Sequence, residues 1–224
     1  MDFRKKVKAF AAPMGVFIAL LALDGLLPSL GKTFWLQRPE YWIFPLQTVV
    51  CAALLAWYWG AYEWQPPRGL AFGIIVGVFV FALWISPQAM LGFPARTNGF
   101  NPDLLAGQRG LFLATVILRF LRLVVVVPLV EEIFWRGFLL RYLIDEKFDQ
   151  VPFGRFSWLS FAVVTAAFGF SHSSADWPAA LLTGALYNWV AYRTKSLSTC
   201  VATHALTNLL LGIWIMYTRQ WGFW

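Results

Sequence analysis

The sequence predicts an all-α fold, a polytopic membrane helix bundle of seven to eight transmembrane helices. Of its 224 residues, 59% are hydrophobic and only 13% are charged, whereas soluble globular chains are about 25% charged. Four runs lack Asp, Glu, Lys and Arg, and each has roughly the 20 residues that a helix needs to cross a bilayer. These runs are 41–62, 69–95, 156–175 and 196–218.

Seven hydrophobic segments follow one another along the chain, and Trp and Tyr cluster at their ends, as in the interfacial belts of membrane proteins. The first segment follows MDFRKKVK, which resembles the start of a signal peptide, but the apolar run continues past Asp24 to Leu30 without a clear small-x-small cleavage site. It is therefore predicted to be a retained first helix. The segments are 9–30, 42–62, 69–87, 110–144, 157–173, 178–192 and 197–217.

The segment 110–144 has two interpretations. As one helix it would exceed about 50 Å in length. Pro128 offers a point at which the segment kinks or divides into two shorter helices, which would raise the number of spans to eight. The loops 87–109 and 145–156 are the two long connections, and the first reads as irregular or as an interfacial lid.

The distribution of Lys and Arg predicts the orientation. With seven spans, the N-terminus and the loops 63–68, 141–156 and 193–196 share one side and carry ten basic residues, against five on the other side. This excess predicts a cytoplasmic N-terminus. The chain is expected to form a single integral membrane domain, 1–224, with a motif-bearing core at about 110–217. The small size favours a bacterial protein in the inner (plasma) membrane.

Two other classes of protein are excluded by composition. The net charge of +7 does not indicate nucleic-acid binding, because the basic residues lie at the ends of apolar segments and form no stripe. The two cysteines, Cys51 and Cys200, are far apart in the sequence and do not suggest a disulfide scaffold or a cysteine-rich metal domain.

Polar residues inside apolar segments are the most informative part of the sequence, because a charge at the bilayer centre costs at least about 2.5–3.5 kcal/mol. In EEIFWR at 131–136, Glu132 and Arg136 lie four residues apart and can pair on one helix face. Glu131 then has no obvious partner, and an unpaired carboxylate in an apolar medium suits a general base. A salt bridge between spans, or a helix-end charge cluster, is the alternative.

Both histidines of the chain lie in apolar segments. His172 ends FGFSH at 168–172, and His204 begins HALTN at 204–208, where it shares a helix face with Asn208. Taken singly, such residues are typical of interfacial or interhelical hydrogen bonds. If the three segments pack side by side, Glu131, His172, His204 and Asn208 meet in one wet pocket. This set suits activation of a water and stabilisation of an oxyanion during hydrolysis of a carbonyl bond.

A serine or cysteine nucleophile is not clearly present. Ser171 and Ser173 flank His172, but adjacency in sequence does not make a dyad, and Cys200 is a weak thiol candidate. Arg119 and Arg122 can bind a substrate carboxylate or a lipid phosphate. The favoured interpretation is that they mark the beginning of the span at Leu123.

The three motifs, in this order, resemble the CPBP family of intramembrane proteases, also called the CAAX-protease or Abi family. The family signatures are Glu-Glu-x-x-x-Arg, Phe-x-x-x-His and His-x-x-x-Asn or Asp. They correspond here to 131–136, 168–172 and 204–208, within a matching region of roughly 127–212. The resemblance implies a CAAX-type intramembrane endopeptidase.

The resemblance also implies a role for each motif residue. Glu131 would activate the attacking water, and Glu132 would support it through a structural Arg136. His172 would hold the water or ligate a metal. His204 and Asn208 would form the oxyanion hole, with Phe168 packed beneath the site. The list of implied catalytic residues is Glu131, Glu132, His172, His204 and Asn208.

Two mechanisms remain open at this stage. One uses a zinc ion, for which Glu131, His172 and His204 are the full supply of ligands; the other uses a glutamate-activated water without metal. The expected partners are the lipid bilayer and a membrane-anchored or lipid-modified peptide or protein, with no nucleic acid. The alternative function is a non-catalytic membrane protein, either for bacteriocin immunity, as a scaffold, or as a small-solute transporter that uses the buried Glu and His as proton relays.

Overall fold

The computed structural model describes residues 2–224, and this part of the chain contains helices and no strand. Seven main helices follow the predicted segments within a few residues, which confirms the all-α fold class. They are α1 (Phe3–Leu26), α2 (Glu40–Trp57), α3 (Leu70–Met90), α4 (Arg109–Tyr142), α5 (Trp158–Phe170), α6 (Trp177–Thr194) and α7 (Leu197–Thr218). Short helical turns connect them, among them Leu27–Leu30, Phe34–Gln37 and Pro102–Leu105.

Five of these helices are long and apolar enough to cross a membrane, namely α1, α2, α3, α4 and α7. The other two, α5 and α6, are not among them, so the structure has fewer full spans than the seven to eight that the sequence predicts. Helix α5 has 13 residues and is therefore about 20 Å long. Helix α6 carries buried polar side chains, including Thr183 and Asn188, which pack against neighbouring helices.

The outer surface is apolar, as a lipid environment requires. Ile74, Ile75 and Phe79 on α3 are exposed, although residues of this type avoid water in soluble proteins. Trp57 at the end of α2 is 83% exposed, and Trp158 at the beginning of α5 is 75% exposed. These positions fit the interfacial belt that the sequence predicts.

Helix α4 is a single continuous helix of 34 residues, so the division at Pro128 is wrong. Two π-helical stretches interrupt the α-helical pattern, at Arg122–Val126 and Ile133–Leu139. The first stretch directly precedes Pro128, whose ring would collide with the carbonyl of Val124 in a regular α-helix. The widened turn accommodates the ring, and the helix continues.

Ion pairs join the N-terminus to two loops that lie on the same side of the bundle, as expected when successive helices run in alternating directions. Lys6, near the N-terminus, lies 3.3 Å from both Glu63 and Asp149. Arg141, at the end of α4, lies 3.0 Å from Glu63. The N-terminus, the α2–α3 connection and the α4–α5 loop therefore share one side of the bundle, which we call the N-terminal side.

The opposite side of the bundle is closed by the long loop 91–108. Arg96 forms an ion pair with Asp176, at the beginning of α6, and its backbone N–H donates to the side chain of Gln220. Arg219, at the end of α7, lies 3.5 Å from Asp103. These contacts cover this end of the bundle with polar groups.

Helices α3 and α7 approach each other closely through small residues. A side chain on Gly77 would place its Cβ 2.9 Å from the carbonyl oxygen of Thr203. The Thr207 hydroxyl donates to the carbonyl of Gly77 at 2.9 Å. Small residues and interhelical hydrogen bonds of this kind are the usual means of helix association in membranes.

We therefore expect Gly77→Ala to destabilise the protein by about 1–3 kcal/mol, because the added methyl group forces two backbones apart. The matched control is Gly15→Ala in α1, where an added Cβ meets no atom within 4 Å. That change is expected to be neutral or to stabilise the helix by about 0.5–1 kcal/mol. The measurement is thermal unfolding of both variants in the same detergent, and equal midpoints would contradict the close approach.

Candidate active site

A cavity of about 260 Å³ lies inside the bundle, between α1, α4, α7 and the connection from α5 to α6. Glu131, His172, His204 and Asn208 all line it, together with Phe168. These residues come from three segments that are separated in sequence, and the packing of α4, α5 and α7 brings them to one place. The predicted Glu132 and Arg136 lie behind the cavity wall and are fully buried.

Glu131 is a buried carboxylate without a fixed partner. Glu131 is 9% exposed, and its Oε2 atom has no hydrogen-bond partner among the described residues. A buried carboxylate oxygen of this kind is costly unless a water or a ligand satisfies it. The side chain is therefore available to a molecule that occupies the cavity.

Glu132 links two motifs. Its Oε1 atom accepts a hydrogen bond from Nη1 of Arg136 at 3.0 Å and lies 2.9 Å from Nδ1 of His204. The i, i+4 pair of Glu132 and Arg136 is the one that the sequence predicts. The contact with His204 is new, and it makes Glu132 the partner of an imidazole on α7.

Arg136 anchors α4 to α6. Its Nε donates to Oδ1 of Asn188 at 3.1 Å, and its Nη2 donates to the carbonyl of Gly184 at 3.3 Å. The guanidinium group lies over the rings of Phe168 and Tyr187, at 4.9 and 5.4 Å from their centroids. Arg136 thus positions Glu132 from behind and does not reach the cavity.

The tautomer of His172 follows from its hydrogen bond. Nδ1 lies 2.8 Å from the carbonyl oxygen of Phe168, and since a carbonyl only accepts, we assign the proton to Nδ1. In the neutral ring Nε2 then carries a lone pair. The ring packs against Phe168 and Trp84, with centroid distances of 4.9 and 5.6 Å, which fixes its orientation at the end of α5.

His204 and Asn208 lie on one face of α7, as the spacing predicts, and each has a further partner. Because Glu132 accepts, we assign a proton to Nδ1 of His204, and Nε2 is left for the cavity. Nδ2 of Asn208 donates to the carbonyl of Leu123 at 2.9 Å. Leu123 lies in the first π-helical stretch of α4, where the hydrogen-bond ladder is altered. One amide hydrogen of Asn208 is therefore used for structure.

The candidate nucleophiles considered from the sequence have other contacts. The Ser171 hydroxyl donates to the carbonyl of Phe168 at 2.8 Å, and Ser173 donates to Asp176. Cys200 is 1% exposed and does not line the cavity. Oγ of Ser171 also lies 3.4 Å from Nδ1 of His172, but that nitrogen donates its proton to the carbonyl of Phe168 and therefore has no lone pair with which to activate the serine.

Two further side chains line the cavity, and the sequence offers a binding role for one of them, Arg122, only as the less favoured alternative. Arg122 lines the cavity, and both Arg119 and Arg122 are buried inside the bundle, so the interpretation that they mark the beginning of a span is wrong. Tyr187 also lines the cavity, and its buried hydroxyl lacks a hydrogen-bond partner within residues 2–224. Tyr187 lies on α6, whose apolar residues show little helical periodicity. The sequence therefore does not indicate that Tyr187 faces a cavity.

The residues do not fit the predicted zinc site in this arrangement. Among residues 2–224, no three His, Cys, Asp or Glu side chains form a group that could hold a metal ion.

The fold and the cavity define a polytopic membrane protein with a buried carboxylate–imidazole site. The model of the family described as "Type II CAAX prenyl endopeptidase Rce1-like" matches residues 112–210, a range that contains all three motifs. Over this range the chain is similar to the CAAX-protease family of membrane proteases, which supports the resemblance that the three motifs carry. No curated protein and no solved structure matches the chain.

Proposed function

We propose that the protein is an intramembrane peptidase that hydrolyses a peptide bond of a membrane-anchored or lipid-modified protein or peptide by means of a water activated by Glu131. The observation that carries this proposal is the buried, unpartnered Oε2 atom of Glu131 in the same cavity as His172 and His204. A general base needs a free lone pair at the reacting water, and Glu131 has one.

The attack begins with a water held between two acceptors. One hydrogen of the water bonds to the carboxylate of Glu131, and the other bonds to the Nε2 lone pair of His172. The water oxygen is then free to attack the carbonyl carbon of the substrate, while Glu131 takes the proton. The product of this step is a tetrahedral intermediate that carries a negative charge on the former carbonyl oxygen.

That negative charge requires hydrogen-bond donors. His204, whose Nδ1 lies 2.9 Å from Oε1 of Glu132, is one such donor in the form in which both of its ring nitrogens carry a proton. The second amide hydrogen of Asn208 is the other donor. Collapse of the intermediate breaks the C–N bond and re-forms the carbonyl, while the proton passes from Glu131 to the leaving amine, so that Glu131 is again a carboxylate.

The reaction is direct and passes through no acyl-enzyme. Ser171 and Cys200 are used in structure or lie outside the cavity, which leaves water as the attacking group. A peptide would enter from the membrane or from its interface, since the cavity lies inside a bundle with an apolar outer surface. We further propose a bacterial inner membrane and a cytoplasmic N-terminus. A prenylated CAAX protein is one candidate within the broader class of lipid-modified substrates.

The alternative of a non-catalytic protein would be favoured by histidines that face lipid or lie on opposite sides of the bundle. Both histidines instead line one cavity with Glu131. This common location supports hydrolysis over immunity, scaffolding or transport, because it assembles a base, two imidazoles and an amide around one point.

Comparison of membrane proteomes tests the proposal. Cells that carry the wild-type protein and cells that carry Glu131→Gln are compared by mass spectrometry of membrane-protein termini. We expect at least one membrane-anchored protein or peptide to be shortened only with the wild type. Equal expression of both forms is the control, and identical termini in both membranes would reject the peptidase function in that host.

A further inference from the structure

Arg119 and Arg122 form a buried pair of positive charges beside the cavity. They lie three residues apart on α4, and they are 3% and 7% exposed. None of the ion pairs within residues 2–224 includes either residue. Buried guanidinium groups are normally paired, because an unpaired charge in an apolar environment is costly.

Arg122 is held in one orientation by its neighbours. Its Nε donates to Oε1 of Gln47 at 2.6 Å, and Gln47 is in turn fixed by a bond from its Nε2 to the carbonyl of Phe17 at 2.7 Å. The guanidinium plane lies over the rings of Phe44 and Phe17, at 4.5 and 5.2 Å. Nη1 and Nη2 have no hydrogen-bond partner among the described residues, and the side chain lines the cavity.

Arg119 adds a second charge behind the first. Its Nε and Nη1 atoms are buried without a hydrogen-bond partner in residues 2–224, and its guanidinium lies over the rings of Phe44 and Phe100. The carboxylates that face the pair are those of Asp24, Glu40 and Glu131. None of these carboxylates lies within ion-pair distance of either guanidinium, so the N–H groups of Arg122 that face the cavity are free to bind a ligand.

We propose that Nη1 and Nη2 of Arg122 bind the terminal carboxylate of the peptide substrate, with Arg119 as the supporting charge. This inference rests on the proposed function for the nature of the ligand. With Nε occupied by Gln47, the free edge of the guanidinium offers two parallel N–H groups. Two such groups match the two oxygens of a planar carboxylate.

The position of Arg122 relative to Glu131 suits a short peptide. The two residues are nine positions apart on α4, or about 13 Å along the helix axis, which an extended chain of about four residues covers. The wall between them is apolar and includes Leu123 and Val127. Apolar side chains would therefore fill the space between the scissile bond and the charged end.

Binding of a matched pair of probes tests this inference without hydrolysis. The probes are N-octanoyl-Ala-Val-Leu with a free carboxylate and the same compound as its carboxamide. They are titrated against the full chain carrying Glu131→Gln in phosphatidylcholine nanodiscs. We expect the acid to bind about tenfold more tightly than the amide or better, as charge-assisted hydrogen bonds predict.

Variants then assign the preference to one side chain. In the Glu131→Gln background, Arg122→Gln is expected to reduce the preference for the acid to within about twofold, and Arg122→Lys to keep only part of it. The matched control is Arg219→Gln, which removes the same charge from a side chain that is 74% exposed and should leave the preference unchanged. Thermal unfolding of each variant shows that it is folded.

Equal binding of acid and amide to the protein with Arg122 intact, or no binding of either, overturns the inference and needs no arginine variant. Persistence of the preference in folded Arg122→Gln overturns it as well. Stronger competition by octyl phosphate than by octanoate would assign the site to lipid phosphate instead. The probe titration does not depend on hydrolysis. A preference for the acid, together with no cleavage in the proteome comparison, would reject only the proposed function. Cleavage in that comparison, together with equal binding of the acid and the amide, would reject only this inference.

Discussion

Glu131→Ala and His172→Ala are each expected to lower peptide hydrolysis by at least about 10³-fold, while the protein remains in the membrane. General-base catalysis contributes about 10²–10⁴-fold, and the attacking water loses its second acceptor when His172 is removed. None of the ion pairs within residues 2–224 includes either side chain, so neither substitution leaves a charged partner unpaired. The measurement is the rate of cleavage of a substrate identified by the proteome comparison, with purified protein in nanodiscs.

The controls for this experiment lie close to the same site. Ser171→Ala and Cys200→Ala remove the two residues that an acyl-enzyme mechanism would need, and each is expected to keep most of the activity. A loss of activity in Ser171→Ala that equals the loss in Glu131→Ala would contradict attack by water. Full activity in both Glu131→Ala and His172→Ala would reject the mechanism as a whole.

Arg136→Ala is expected to have the largest effect on stability, about 3–5 kcal/mol, because it leaves the buried carboxylate of Glu132 without its cation. The substitution also removes the hydrogen bonds that Arg136 donates to Asn188 and Gly184 on α6. Unfolding in mixed micelles measures the change. The matched control is Arg38→Ala, whose 3.5 Å pair with Glu40 is partly exposed and should contribute no more than about 1 kcal/mol.

A double substitution separates the charge from the packing. Arg136→Met with Glu132→Gln removes both charges and keeps similar volumes, so we expect it to recover part of the stability lost in Arg136→Ala. The double variant should still be inactive, since Gln at 132 no longer places a carboxylate beside Nδ1 of His204. A loss of less than about 1 kcal/mol in Arg136→Ala would contradict the anchoring role of this arginine.

The sequence predicts the helices well because their apolar runs are long and their ends carry aromatic or charged residues. It predicts α4 less well, since Pro128 is compatible with both a break and a continuous helix. The choice depends on the π-helical stretch before Pro128 and on the bond from Asn208 to the carbonyl of Leu123. A contact between positions so far apart in sequence leaves no local pattern.

The sequence predicts the candidate site only in part, because contacts between distant positions leave no local pattern there either. The i, i+4 spacing identifies Glu132 with Arg136, and the rarity of histidine draws attention to His172 and His204. The bond between Glu132 and His204 joins positions 72 apart and depends on how α4 and α7 pack. Arg122 is misread because an arginine at the edge of an apolar run has the same sequence context whether it faces lipid headgroups or a cavity.

The shortness of α5 has a consequence for the surrounding lipid. A helix of 13 residues covers about 20 Å, whereas the hydrocarbon layer is about 30 Å thick. The mismatch is relieved when the layer thins next to the helix. His172 lies just beyond the last residue of α5, so we expect this thinning to bring bulk solvent toward the imidazole and to supply the water that the proposed hydrolysis consumes.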